Sequence, residues 1–204
     1  MNQEIERKYQ VKYLPEDLKI EKVTNIKQCF IYHDKRTIVR LRKITTLNND
    51  VTPKVEYIYT VKTKGNLEYK NGETIGKKYE IESNISEEEY SELTERKISS
   101  SMDKTRIVAP IGNNLKAEID IYYGYLEGFL TLEVEFENEE EANQFIKPDW
   151  FGEELGYKEF SNRKLSEMTR EEFESKVTEE FMNNNRKIIN ELENNKVINF
   201  KNYK

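Results

Sequence analysis

The chain is short of the residues that build the commonest catalytic sites. Its 204 residues include one cysteine, Cys29, and one histidine, His33. A single thiol excludes an internal disulfide framework, and one imidazole beside one thiol cannot make a His/Cys zinc site. No Ser–His or Cys–His nucleophile pair can be assembled, and no glycine-rich GxxxxGK[ST] phosphate loop is present. There is no signal peptide, no apolar run of membrane length and no lipidation motif, so neither a membrane nor export is expected and the cytoplasm is the default location. Net charge is −6, which argues against nucleic acid as the main ligand. Local arginines and lysines still suit a polyanion held through metal ions. Hydrophobic residues make up only 36% against 35% charged, but thirteen Tyr and nine Phe help to supply a core. Disorder throughout is therefore excluded, and the length suits one domain with an appendage.

What is present is a repeated strand grammar. Glu4-Ile5-Glu6-Arg7-Lys8 reads as a strand, in which alternate side chains share a face, so Glu4, Glu6 and Lys8 project together, stepped roughly 7 Å apart. The alternation returns at Arg40 and Arg42, Lys62 and Lys64, Lys78, Glu80 and Glu82, Lys104 and Arg106, Glu118 and Asp120, and Glu133 and Glu135. Between the charges stand residues such as Leu41, Tyr79, Ile81, Ile119 and Val134. One such strand is ordinarily a solvated face. Seven in succession fit a sheet curled shut with its charged faces inward and an apolar outside covered by helices. The expected class is α+β, an eight-stranded closed antiparallel barrel, or tunnel, with a charged interior.

Strands are expected at about 24–33, 36–45, 54–63, 76–83, 102–109, 115–123 and 129–136 after the first, with His33 at a hairpin end. Leu14 to Leu18 reads as a short helix with Pro15 in its first turn. The capping box Ser86-Glu87-Glu88-Glu89 opens a helix carrying Tyr90, Leu93 and Ile98. Gly112-Asn113-Asn114 marks a turn, and Asn138 caps a helix that Pro148 stops. Trp150 to Leu155 reads as a helical turn that could plug or cover the channel, and Asn162 to Met168 as another. Thr169-Arg170-Glu171-Glu172 is a second capping box, opening a tail helix with Phe173, Val177 and Phe181. A further amphipathic helix follows the Asn183-Asn184-Asn185 break. The division is 1–168 for the tunnel and 169–204 for a helical extension, which either packs outside the barrel or binds a partner. Monomer and homodimer both stay open.

Inward rows of acids and bases cannot all be inexpensive ion pairs, because a narrow space strips their hydration. Hard divalent cations, Mg²⁺ or Mn²⁺, suit the carboxylates. Arginine forks and lysine ammoniums suit the oxygens of a phosphate chain. The combination points to phosphoryl transfer on a small linear polyphosphate, where positioning and charge neutralisation supply most of the catalysis.

These residues, in this order, resemble the CYTH superfamily, the triphosphate tunnel metalloenzymes. The opening Glu-x-Glu-x-Lys is similar to the family signature, and the segment from Phe145 to Glu154 resembles small bacterial members. The match covers about residues 1–168. The resemblance implies metal binding by Glu4, Glu6, Asp120, Glu133 and Glu135, helped by Glu80, Glu82 or Glu118. It implies phosphate binding by Lys8, Arg40, Arg42, Lys62, Lys78 and Arg106, with Lys104 near the attacking water. Some small tripolyphosphatases pair that lysine with a tyrosine in the second strand. Phe30 stands at the matching position here, and Tyr32, two residues on, is the candidate substitute. A second departure is Lys158-Glu159-Phe160-Ser161, where the family has a basic, Tyr-rich segment before the residue matching Asn162; Lys78 likewise stands where Arg is frequent. The implied activity is metal-dependent hydrolysis of inorganic tripolyphosphate. Class IV adenylate cyclase and thiamine triphosphatase are the sibling alternatives, and a non-catalytic polyphosphate or nucleotide sensor is the alternative from another class.

Overall fold

Charged–apolar alternation folds into ten strands whose pairings are all antiparallel. The computed structural model describes residues 2–46, 53–64, 68–70, 73–156 and 159–195, and their side chains except at 2–4, 64, 68–70 and 73–78. The strands are β1 (Asn2–Val11), β2 (Lys22–His33), β3 (Thr37–Thr46), β4 (Lys54–Lys64), β5 (Glu68–Lys70), β6 (Glu73–Ile85), β7 (Met102–Gly112), β8 (Leu115–Tyr122), β9 (Leu130–Phe136) and β10 (Phe151–Glu154). Their order is β10-β1-β9-β8-β7-β2-β3-β4-β6-β5, and β1 also pairs with β6. Along one edge β1 meets β9, from Ile5↔Phe136 to Tyr9↔Leu132. Along its other edge it meets β6, from Asn2↔Glu80 to Glu6↔Gly76, and then β10 at Tyr9↔Glu154 and Val11↔Phe151.

The helices are α1 (Glu87–Thr94), α2 (Glu139–Gln144), α3 (Asn162–Glu167), α4 (Arg170–Glu174) and α5 (Glu179–Asn194), with a 3-10 turn at Gly124–Leu126. Capping boxes start α1 and α4, at Ser86 with Glu89 and at Thr169 with Glu172, and the Asn138 side chain caps α2. The β7–β8 hairpin turns through Gly112, Asn113 and Asn114, all at positive φ, a conformation that Gly and Asn tolerate best. Among the described residues no helix is long and apolar enough to cross a membrane.

The larger of two core clusters lies on the side of the sheet away from the charged rows, while the other reaches the charged side at Met102 and Tyr122. Ile5 and Tyr9 of β1, Ile107 of β7, Ile119 and Ile121 of β8, and Leu130, Leu132 and Val134 of β9 form one cluster with Trp150, Phe151 and, from α5, Ile188 and Leu192. A second cluster joins Met102, Tyr122, Leu126 and Phe129 to Phe160, Leu165, Phe173 and Met182. Each such aliphatic or aromatic side chain contributes about 1.5–3 kcal/mol by leaving water. The segment after Met168 thus packs on the strands. The outer face of β4 and β6 is barer: Val55, Tyr79 and Ile81 are exposed.

Several local expectations are corrected. Trp150 to Leu155 holds strand β10 rather than a helical turn. It pairs with the edge of β1, where Gly152 sits so close that an added Cβ would meet the Gln10 Cβ at 2.8 Å, and Leu155 just beyond it joins the cluster of Met102 and Tyr122. Leu14–Leu18 makes a turn, closed by Leu18 N–H donating to the Pro15 carbonyl at 3.2 Å, not a helix. Ile98 lies beyond the end of α1 and is exposed. α5 runs unbroken through Asn183-Asn184-Asn185, because Asn185 turns into the core and helical packing on the strands outweighs the weak propensity of Asn.

α3 and the residues before it lie across one end of the strands. Phe160 reaches β1 through its carbonyl, which accepts from Lys8 Nζ at 2.9 Å. Asn162 meets Tyr122 at the end of β8, Ser166 O accepts from Ser100 N just before β7, and Glu167 lies 3.0 Å from His33 at the end of β2. Antiparallel pairing brings all four of those strand ends to the same side.

Candidate active site

Directly opposed residues in a sheet share a face, so the register tests the inward rows. Lys8 faces Glu133, Glu133 faces Glu118, and Glu6 faces Glu135. Arg106 faces Asp120, and Lys104 faces Tyr122. On the other side of β2, Arg40 faces Thr60 and Thr60 faces Glu82, while Lys62 faces Glu80. Two ionic walls result.

The first wall belongs to β1, β7, β8 and β9. Asp120, fully buried, accepts from Lys104 Nζ at 2.5 Å, Arg106 Nε at 2.7 Å and Arg106 Nη2 at 2.7 Å. Arg106 also pairs with Glu118, and through Nη2 with Glu133 at 2.9 Å. Glu133 Oε1 receives Lys8 Nζ at 2.7 Å. One guanidinium therefore touches three carboxylates. Burial alone would raise Asp120 and Glu133, but cations outweigh it. Arg106 and Lys104 hold Asp120 below the usual carboxylate range, and Lys8 with Arg106 and Lys104 hold Glu133 well below it. For Glu118 burial wins over Arg106 and the pKa is raised. Burial brings Lys104 down to about 8 despite the pull of Asp120.

The second wall belongs to β3, β4 and β6. Arg40 Nη2 lies 3.2 Å from Glu80 Oε1, Lys62 Nζ lies 3.3 Å from Glu80 Oε2, and Arg42 pairs with Glu82. Thr60 Oγ1 donates to Glu82 at 3.0 Å. Burial and the neighbouring Arg40 charge lower Arg42 to about 10, and Arg106 from the first wall adds to that effect. The two walls thus feel each other's charge.

Lys8, Arg40, Arg42, Lys62, Lys104, Arg106, Glu6, Glu80, Glu82, Glu118, Asp120, Glu133 and Glu135 all stand on the inward rows, Glu135 toward water. Glu4 and Lys78 oppose each other across β1 and β6, and their side chains lie outside the described residues. Tyr32 does not join them. Phe30 faces Arg40, but Tyr32 faces Val39, because Ile31 has no partner and the register slips by one residue. That bulge turns Tyr32 to the outer face, where it is 49% exposed and its hydroxyl donates to Asp34 Oδ2 at 3.0 Å. Phe30 itself is buried. The alternation rule missed Tyr122, which lies inward beside Lys104 and whose hydroxyl donates to Asn162 Oδ1 at 2.9 Å. The signal was available: Tyr122 continues the Glu118, Asp120 period.

The donor chemistry fits a hard cation. Glu133 and Glu118, and Glu6 and Glu135, are acids set directly opposite each other, an arrangement that is unfavourable unless positive charge lies between. Among the described residues no group of three acidic, His or Cys side chains is arranged to hold a metal as it stands. The arginines and lysines take that part instead.

Comparison with known proteins agrees with this geometry. No family model matches the chain. An inorganic triphosphatase of Nitrosomonas europaea is 30% identical over 112 residues, 54% of this chain and 68% of that protein. The crystal structure of an inorganic triphosphatase, 27% identical, superposes with a TM-score of 0.52 over 81% of this chain and 95% of that one. A conserved hypothetical protein from Pyrococcus furiosus, 19% identical, superposes at 0.50 over 69% and 84%, a likeness of fold alone. With acids and bases alternating in order on inward strands and a relative of this identity and coverage, the chain belongs to the family of that inorganic triphosphatase, the CYTH superfamily.

Proposed function

We propose that the protein hydrolyses a small linear triphosphate, inorganic tripolyphosphate first, inside a closed eight-stranded tunnel and with Mg²⁺ or Mn²⁺. The observation that carries the reading is the opposed pair of ionic walls, in which Asp120, Glu118, Glu133, Glu80 and Glu82 each meet a base. The β1–β6 pairing supports closure, since it joins the first strand to the far side of the sheet. Residues 1–168 are read as the working unit and 169–204 as its outer support.

Substrate binding is an exchange of partners. Arg40, Arg42, Lys62, Lys8 and Arg106 turn from carboxylates to phosphate oxygens, arginine through its bidentate fork. Lys78 is assigned to the same set. Glu133, Asp120, Glu6, Glu135 and Glu118, with Glu4 and Glu80, are released to hold metal. A bound divalent ion would neutralise phosphate charge and make its coordinated water more acidic. Lys104, buried against Asp120, orients the attacking water beside the terminal phosphorus. Tyr32 has no part in this step.

Phosphate release tests the reading. Purified protein with Mg²⁺ or Mn²⁺ is expected to release phosphate fastest from tripolyphosphate, more slowly from ATP and thiamine triphosphate, and not at all in chelator. Cyclic AMP formed from ATP would make it a cyclase. Tight tripolyphosphate binding without turnover would make it a sensor, a reading that the buried Phe30 supports.

A further inference from the structure

Lys104 is held directly by the Asp120 carboxylate and by an aromatic ring. Its Nζ lies 5.6 Å from the centroid of Tyr122 and 2.5 Å from Asp120 Oδ2. Lys104 and Tyr122 are cross-strand partners, so both leave the sheet on the same face. The ring is itself pinned. It packs on Phe129 at 5.2 Å between centroids, and its hydroxyl donates to Asn162 Oδ1 at 2.9 Å. Asn162 is the first residue of α3, whose Leu165 and Ser166 are buried and whose Ser161 side chain caps its first turn. A flexible four-carbon amine is thereby fixed between a buried anion and a ring face that α3 holds still. Burial of the hydroxyl near Asp120 and Glu133 raises the Tyr122 pKa well above its ordinary value. The ring's contribution is placement.

We propose that Tyr122, anchored by Asn162, is a positioning residue that sets Lys104 for the reaction and so links α3 to the chemistry. The inference rests on the reading of Lys104 given above. A ring face holds an ammonium by cation–π attraction, and loss of that placement is expected to cost about tenfold in rate.

The test is a kinetic cycle together with a chemical probe. Tyr122→Met, similar in size but without the ring, is expected to lower kcat on tripolyphosphate about tenfold with KM changed by less than about threefold. Tyr122→Phe and Asn162→Ala break the same hydrogen bond and keep the ring, so each is expected to cost only about threefold, and no more in combination. In a Lys104→Ala background, Tyr122→Met should cost nothing further. Acetic anhydride labelling of the metal-free protein, read by mass spectrometry, should modify Lys104 faster in Tyr122→Met and in Asn162→Ala than in the parent. Unchanged labelling overturns the proposal, as does an equal loss of kcat with and without Lys104, or a Tyr122→Phe loss as large as that of Tyr122→Met. If Tyr122→Met does not fold, Asn162→Ala carries the labelling arm alone. Full activity in Lys104→Ala would instead refute the role of Lys104, while labelling would still decide whether Tyr122 holds it.

Discussion

The two ionic walls share residue types and differ in setting. On the β1, β7, β8 and β9 wall Asp120 is fully buried, Lys104 and Lys8 are each 3% exposed, and the outside is covered by α5, α2 and β10. On the β3, β4 and β6 wall the Glu82 side chain is 40% exposed, and Val55, Tyr79 and Ile81 leave much of the outer face in water. Buried pairs are costly to break, whereas exposed ones exchange with water and ions at little cost. The difference separates tasks. The covered wall can hold a fixed geometry, and the open wall can give up its internal partners to an arriving phosphate chain.

The contrast can be broken at its strongest point first. Glu133→Gln removes a charge that Lys8 and Arg106 share, and turnover of tripolyphosphate is expected to fall about 10²–10³-fold or more with an unchanged circular dichroism spectrum. Near-normal phosphate release would refute the metal assignment. For stability, Asp120→Ala leaves Lys104 buried without its anion and is expected to cost about 3–5 kcal/mol in urea unfolding. Glu82→Ala on the open wall should cost about 0–1 kcal/mol, discounted for solvent screening. Equal costs would erase the distinction. Leu192→Ala tests whether the covering is structural, with about 2–4 kcal/mol expected from the void left against the strands.

The smallest effect is a pH dependence, measured in chelator. Asp120 and Glu133 have folded pKa values below their unfolded ones. Their contribution is present above the unfolded carboxylate range and is lost as pH falls through it toward the depressed folded values. Glu118, raised by burial, works in the opposite sense. Two groups against one predict that Tm falls between about pH 5 and pH 3, and that Glu133→Gln flattens the slope. A flat profile in the parent would show that the buried wall is not charged as described.

The inward rows were legible because period-two alternation is a local signal that pairing merely confirms. Glu118, Asp120, Lys104 and Arg106 stand where that period places them. β10 was not legible, since four residues around Gly152 become a strand only by pairing with Tyr9 and Val11, about 140 positions earlier in the chain. The length of α5 was hidden by Asn183-Asn184-Asn185, whose poor helix propensity is overridden by packing that no local window contains. The matching of Asp120, Glu118, Glu133, Glu80 and Glu82 to bases was equally invisible. It depends on which strands become neighbours, not on spacing along any one of them.

The unpartnered Ile31 has one more effect. Beyond it every side chain of β2 changes sides, so His33, opposite Ile38, takes the inward position that simple counting assigns to Tyr32. The rim at this end thus carries the chain's one imidazole, set against Glu167 of α3, where a phenol would otherwise be. A role transferred position by position from a relative without the bulge is off by one past Phe30. Two proteins with the same letters in β2 could therefore present different chemistry at this mouth.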